Sequence, residues 1–220
     1  MMESKSLFKL LLFSLFVLSF SPLHAQTKLY EFESAYVKKT TTTSGSSIEV
    51  VTTEEIFITD YGKKSASYKT EKRNIKMLKK TEESSSVHIM DGEWIITYNP
   101  KTKEGTKMKN VLADKFKNMS EKDAEKMVKV MKEALKTETK ELGSETVSGK
   151  KCKVTLATSN IAGMKTTAKV WTYKNFLMKS ESESLGNKVK EEVAVFKEGE
   201  KVDKNKFMVP KDVKIKEVKY

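Results

Sequence analysis

The sequence predicts an α+β fold that is mostly β: about ten or eleven antiparallel strands around one helical insertion. Three observations point there. Short runs of alternating or β-branched residues fill both halves of the chain, turn signals separate them about every 8 to 12 residues, and one stretch between the halves switches to a helical period.

The first strand signal is Leu29-Tyr30-Glu31-Phe32-Glu33, which alternates apolar and acidic residues. Thr40 to Ser47 reads as a hairpin loop, being Thr, Ser and Gly throughout. Ile48 to Thr59 is long and β-branched, and Asp60-Tyr61-Gly62 is a turn. A polar strand around Ser65 to Thr70 and another at Asn74 to Leu78 follow. Asp91-Gly92 between Val87–Met90 and Glu93–Tyr98 is a strong short hairpin signal, and Asn99-Pro100 ends that pair.

From about Met108 to Leu142 the period is helical. Asn110 to Asn118 fits a short helix with Val111, Leu112 and Phe116 inward. Ser120 fits an N-cap, with Glu121 and Asp123 suited to the positive end of a helix. Ala124, Met127, Val128, Met131, Ala134 and Leu135 then draw one apolar stripe, and Leu142-Gly143 reads as its stop.

Strands resume at Gly149 to Ala157, with Cys152, Val154 and Leu156 on one face. Asn160 to Gly163 turns into Lys165 to Tyr173, which sets Ala168, Val170 and Thr172 against Lys169, Trp171 and Tyr173. Lys174-Asn175 leads to Phe176–Ser184, and Leu185-Gly186-Asn187 leads to Val189–Phe196. Phe207-Met208-Val209-Pro210 precedes a last short strand, Val213 to Val218.

Residues 1–25 read as a secretory signal: Lys5 and Lys9, an apolar run from Leu10 to Phe20, then Ser21-Pro22-Leu23-His24-Ala25. That run has 11 residues, well short of the roughly 20 that span a bilayer. Cleavage after Ala25 would start the mature chain at Gln26, soluble and without a lipid-anchoring first cysteine. Residues 26–220 then form one domain. Cys152 is the only cysteine, which excludes an intrachain disulfide and leaves stability to the core. Removing Lys5, Lys9 and Glu3 from a net charge of +12 leaves +11, almost all from lysine, with Arg73 the only arginine. That balance argues against nucleic-acid readout, which leans on arginine, and suits a solvated exterior or an anionic membrane surface.

No catalytic constellation emerges. The mature chain has one histidine, His88, on an alternating strand, and the adjacent carboxylates Glu54-Glu55 and Glu191-Glu192 point to opposite faces. No phosphate loop, nucleophile elbow or zinc motif is present, and no cofactor is expected. Cys152 and His88 are the one conceivable nucleophile pair, with lysines beside the thiol that could lower its pKa.

The order of elements resembles the superfamily of the periplasmic outer-membrane lipoprotein carrier. Four pieces carry the resemblance: Gly92-Glu93-Trp94-Ile95-Ile96-Thr97-Tyr98-Asn99-Pro100, Leu142-Gly143-Ser144-Glu145-Thr146-Val147-Ser148-Gly149, Val170-Trp171-Thr172-Tyr173 with Phe176-Leu177-Met178, and Phe207-Met208-Val209-Pro210-Lys211-Asp212-Val213. It implies an unclosed β-barrel with the helical insertion covering the concave face, over a cavity for acyl chains, in the periplasm. The carrier's early-strand arginine has no counterpart, since residues 26 to 72 contain none. The resemblance therefore reaches lipid or apolar-ligand binding rather than lipoprotein trafficking. It implies an apolar cleft lined by Trp94, Met127, Val128, Met131, Leu135 and Trp171, occupied by acyl chains or a lipidated partner, in a non-enzymatic monomer. The alternatives are a structural or sensory module whose helix fills the barrel, and a hydrolase using Cys152 or His88.

Overall fold

A computed structural model describes residues 28–111, 120, 123, 126, 137–161, 164–184 and 186–218. Among them twelve strands form one sheet: β1 (Ala35–Ser44), β2 (Ile48–Thr59), β3 (Lys64–Ile75), β4 (Lys80–Asp91), β5 (Trp94–Asn99), β6 (Glu104–Lys109), β7 (Glu138–Val147), β8 (Lys150–Ile161), β9 (Met164–Tyr173), β10 (Phe176–Ser184), β11 (Asn187–Glu198) and β12 (Lys214–Glu217). The order across the sheet is β12-β6-β5-β4-β3-β2-β1-β11-β10-β9-β8-β7. Every pairing is antiparallel except β12 with β6. The sheet does not close: β12 and β7 are its edges, and the chain between β6 and β7 passes from one side of the sheet to the other.

Several expectations are corrected by these strands. Leu29 to Glu33 is not a strand. The amides of Leu29 and Tyr30 donate to the Tyr61 carbonyl at 2.8 and 3.1 Å, and that of Glu31 to the Lys174 carbonyl at 3.3 Å, so the segment crosses two turns. Its alternation serves aromatic packing instead: Tyr30 stacks on Phe32 at 5.0 Å, and Phe32 meets Phe196 edge-on at 5.4 Å. Thr40 to Ser44, read as loop, completes β1, because its threonines are β-branched and pair on both sides with β2 and β11. The turn is only Gly45 to Ser47. Asn74 and Ile75 end β3, and Lys76 to Leu78 is a turn rather than a strand.

The helical reading also began too early and ended too late. Glu104 to Lys109 is β6, and Glu138 to Val147 is β7, so Leu142-Gly143 lies within a strand. Gly143 has φ +94° where the β7–β8 register shifts, which places glycine at a bulge instead of a helix stop. No α-helical element of the expected insertion is delimited among the described residues. Ala124, Met127, Val128, Met131, Ala134 and Leu135 lie outside them. At Ser120 the hydroxyl accepts from the Asp123 amide at 3.2 Å and donates to the Asp123 carboxylate at 2.6 Å. The signal segment, residues 1–25 with the Ala25 cleavage site, also lies outside the description, and no described helix is long and apolar enough to cross a membrane.

Two apolar cores hold the sheet. The first joins Phe32, Val37, Ile58, Trp171, Phe176, Met178, Val193 and Phe196. The second joins Ala66, Val87, Ile89, Tyr98 and Val213, with Tyr68 and Phe207 against it. The C-terminal segment covers this second core, pinned where the Tyr68 hydroxyl donates to the Lys206 carbonyl at 2.8 Å.

Gly105 shows how tight the β5–β6 pairing is. A Cβ there would lie 2.4 Å from the Thr97 carbonyl oxygen and 2.5 Å from the Tyr98 Cβ. Gly105→Ala is therefore expected to destabilise the fold by about 1–3 kcal/mol through overpacking. Urea unfolding checks it, and an unchanged midpoint would refute the close approach.

Candidate functional site

Strand register assembles a charged belt on one face of the sheet. Lys39 of β1 stands opposite Glu54 of β2, and Glu54 opposite Lys69 of β3. Ser67 stands opposite His88 of β4, and His88 opposite Thr97 of β5. On the other side of β1, Thr41 stands opposite Glu191 of β11. Alternation along each strand puts all of these on one face.

The side chains meet accordingly. The Lys39 ammonium lies 3.0 Å from Glu191 and 3.2 Å from Glu54, and the Lys69 ammonium 3.3 Å from Glu54. The Ser67 hydroxyl donates to Glu54, and the Thr41 hydroxyl donates to Glu191 at 3.3 Å. The His88 ring is held between Thr97 at 2.9 Å and Ser86 at 3.3 Å. Glu54 is 7% exposed, which makes it the one buried carboxylate among the described residues.

The belt is electrically balanced. Burial alone would raise the Glu54 pKa, but Lys39, Lys69 and the Ser67 hydrogen bond outweigh it and hold the carboxyl below its ordinary range. Burial alone would lower the Lys39 pKa, but Glu191 and Glu54 outweigh it and hold the ammonium above its ordinary range. Burial pushes His88 below 6.5, reinforced by Lys69 and opposed by Glu54. Two ammonium groups against two carboxylates leave no net charge to recruit an ion. Among the described residues no His/Cys/Asp/Glu cluster could hold a metal.

These directions carry a pH prediction. A carboxylate whose folded pKa is depressed contributes stability above its unfolded pKa and loses it as pH falls through the folded value. A histidine whose folded pKa is depressed binds its proton more readily when unfolded, so stability falls as pH drops through 6.5 towards the folded value. Both act in the same direction. Acidification should weaken the fold first below about pH 6.5 through His88, then in the carboxylate range through Glu54. His88→Gln should flatten the first phase in denaturant titrations and leave the second, whereas an unaltered first phase would remove His88 as its source.

The same face continues into the second half of the sheet. Glu191 stands opposite Ser180 of β10, and Ser180 opposite Val170 of β9. Ala157 stands opposite Ala168, and Ser159 opposite Thr166. Val170, Ala168, Ala157, Ser159 and Thr166 are all buried, Ser159 at 1% exposure. Thr137 immediately precedes the paired residues Glu138 and Thr158, which sets it across from Ser159. The Ser159 and Thr137 hydroxyls are buried and have no hydrogen-bond partner. Each leaves a group that would gain about 1–3 kcal/mol from a partner. This face thus carries a charge-paired belt in one half and, in the other, a strip of small apolar side chains ending in two unpartnered hydroxyls.

The residues singled out from the sequence fall elsewhere or outside the description. Trp94 is half-buried, with the Lys107 ammonium 3.7 Å above its ring, and shares its face with Ile96 and Tyr98 rather than with Thr97. Trp171 is 1% exposed. Its ring lies 4.5 Å from the ammonium of Lys169 and 4.5 Å from that of Lys179, and its indole N–H donates to Glu145 at 2.8 Å. Seven strand-to-strand steps separate β5 from β9, so the two indoles are not brought together in the sheet. Met127, Val128, Met131 and Leu135 lie outside the described residues. Cys152 is fully buried, donates to the Lys150 carbonyl at 3.3 Å, and has its pKa raised by burial, against the activated thiol that neighbouring lysines suggested. It lies on β8 and His88 on β4, seven steps apart, so the conceivable nucleophile pair is not assembled.

No family model matches the chain, and no curated protein matches it. Solved structures similar to it include MucB, at 12% identity and TM-score 0.47 over 86% of this chain and 62% of that one. LprF from Mycobacterium bovis aligns at 10% identity and TM-score 0.39 over 86% of this chain and 95% of that one. An outer membrane lipoprotein-sorting protein domain from Vibrio parahaemolyticus aligns at 8% identity and TM-score 0.20 over 80% of this chain and 89% of that one. The chain spans just under two thirds of the length of MucB.

Proposed function

We propose that this chain is an exported, non-enzymatic protein of the bacterial cell envelope that holds a lipid or similar apolar ligand against one face of its open sheet. The observation that carries the reading is the strip of Val170, Ala168 and Ala157 running to the unpartnered hydroxyls of Ser159 and Thr137. Buried polar groups normally have partners, so two adjacent orphans ask for one. A ligand with an apolar chain and a polar end group supplies it: the chain lies along small side chains, and an ester, carboxyl or hydroxyl meets the two hydroxyls. Each methylene buried contributes about 0.8 kcal/mol before binding costs.

Met127, Val128, Met131 and Leu135 complete the proposal as the apolar lining from the segment between β6 and β7, which joins the two sides of the sheet. The segment then acts as the cover and the sheet as the floor. Signal cleavage after Ala25 and release into the periplasm belong to the same proposal. A lipidated protein belongs to the same proposal as cargo, offering the same acyl chemistry.

Uptake of a fluorescent fatty acid tests the floor and the cover separately. Ser159→Leu fills the polar end of the strip, and Met131→Glu places a charge in the lining. Each is expected to weaken uptake at least tenfold while thermal unfolding stays cooperative. Unaltered uptake in both would refute the site. No uptake by the unmodified protein would favour the rival reading, a filled module in which the charge-paired belt serves only structure.

A further inference from the structure

The β3–β4 hairpin ends in Lys76-Met77-Leu78-Lys79-Lys80. Met77 is 83% exposed and Leu78 69%. Hairpin ends usually carry Gly, Asn, Asp, Ser or Pro, because those residues suit turn geometry and water. Here even the left-handed position, Lys79 at φ 48°, is taken by a lysine. Two adjacent large apolar side chains held in water therefore need another explanation. Among the described residues the other large exposed apolar side chains, Leu29, Val111, Leu142 and Met208, stand singly.

The hairpin end is both prominent and held in place. β5 pairs with β4 only as far as Tyr98 opposite Val87, so Lys80 to Ser86 have no strand partner on that side among the described residues. The Lys76 amide donates to the Ser47 carbonyl at 3.0 Å and its ammonium to the Gly45 carbonyl at 3.1 Å, which ties the end to the adjacent β1–β2 turn. Charge sits around it in a definite pattern. Residues 71–83 hold five cations and three carboxylates. All three carboxylates are paired: Glu71 with Arg73 at 3.1 Å, Glu82 with Lys80 at 2.7 Å, and Glu83 with Lys101 at 3.6 Å. Lys72, Lys76 and Lys79 are left without a carboxylate among the described residues.

We infer that this hairpin end docks on an anionic lipid bilayer, with Met77 and Leu78 entering the interface and Lys72, Lys76 and Lys79 facing the headgroups. The combination fits a membrane surface better than a protein pocket. Apolar side chains lead at the apex, and three lysines without a carboxylate partner flank them along the hairpin. Each lysine near an anionic leaflet strengthens binding by about fivefold, and the effect falls within a Debye length. This goes beyond ligand holding and stands without it, because none of these residues lies on the strip that ends at Ser159.

Vesicle flotation tests it with the purified protein and no added ligand. Binding to vesicles containing phosphatidylglycerol is expected, with little binding to pure phosphatidylcholine. Met77→Ser/Leu78→Ser should weaken it at least tenfold, and Lys76→Gln/Lys79→Gln by about 25-fold at low salt. Both pairs are exposed, so thermal unfolding and fatty-acid uptake should stay as in the unmodified protein. That separates this result from the ligand-holding proposal, since uptake can fail while flotation persists and the reverse. Three outcomes would overturn the docking: no binding to anionic vesicles, binding that ignores the Met77/Leu78 change, and equal binding to uncharged vesicles.

Discussion

Lys39→Met is expected to lower the unfolding free energy by about 3 kcal/mol, because it strands two carboxylates that it alone joins. Glu54 and Glu191 both depend on this ammonium, at 3.2 and 3.0 Å. Glu54 is the more costly to strand, since its side chain is only 9% exposed while that of Lys69, its other cation, is 37% exposed. For a domain of this size the loss corresponds to a fall of about 6–12 °C in melting temperature. The double variant Lys39→Met/Glu54→Leu should recover part of the loss, because an apolar pair of similar volume removes the more deeply buried of the two stranded charges. Calorimetry on the two variants checks the sign of the coupling. A double variant less stable than Lys39→Met alone would mean that the belt stabilises in a way that charge burial does not capture.

Trp171→Ala should cost more, about 3–5 kcal/mol, since it empties a fully packed indole site. The ring is 1% exposed, two ammonium groups lie 4.5 Å from its centre, and its N–H is satisfied by Glu145. Glu145 feels the loss as well. Its pKa is held down first by the Trp171 hydrogen bond and then by that of Lys169. Trp171→Phe keeps most of the apolar contact and drops the hydrogen bond, so it should lose much less. Denaturant unfolding of both variants distinguishes packing from hydrogen bonding. An alanine variant within about 1 kcal/mol of the unmodified protein would contradict the packing described for this ring.

Much of the fold was legible because its turns are chemically marked. Asp60-Tyr61-Gly62, Asp91-Gly92 and Lys174-Asn175 all sit at turns, with positive φ at Tyr61, Gly92 and Asn175. The facing of Ala168 and Val170 against Lys169 and Trp171 also followed from alternation. Strands without an apolar face were not legible. β7 is exposed along nearly its whole length, and its Glu, Lys and Leu residues read as helix. Its strand state comes from pairing with β8, which no local pattern announces. The same holds for the polar ends of β1 and β4. In the opposite sense, Leu29 to Glu33 alternates like a strand, yet its neighbours are turns and aromatic rings.

The charged belt was missed for a related reason. Glu54 sits in Thr52-Thr53-Glu54-Glu55, which reads as solvated strand. The available signal was its spacing of two and four from Ile56 and Ile58 on one face, mirrored by Lys39 two positions from Val37. A glutamate and a lysine on the inward positions of adjacent strands predict a buried pair, provided the register is known. The unpartnered hydroxyls of Ser159 and Thr137 had no sequence signal, because a serine or threonine without a partner looks like any other.

The central claim is that the face ending at Ser159 and Thr137 holds a lipid. Native mass spectrometry of the protein purified from the cells that make it, followed by organic extraction, tests it most directly. The account predicts a bound lipid at near-stoichiometric level, lost in Ser159→Leu. A clean apo mass that also fails to take up added phospholipid or fatty acid would contradict it.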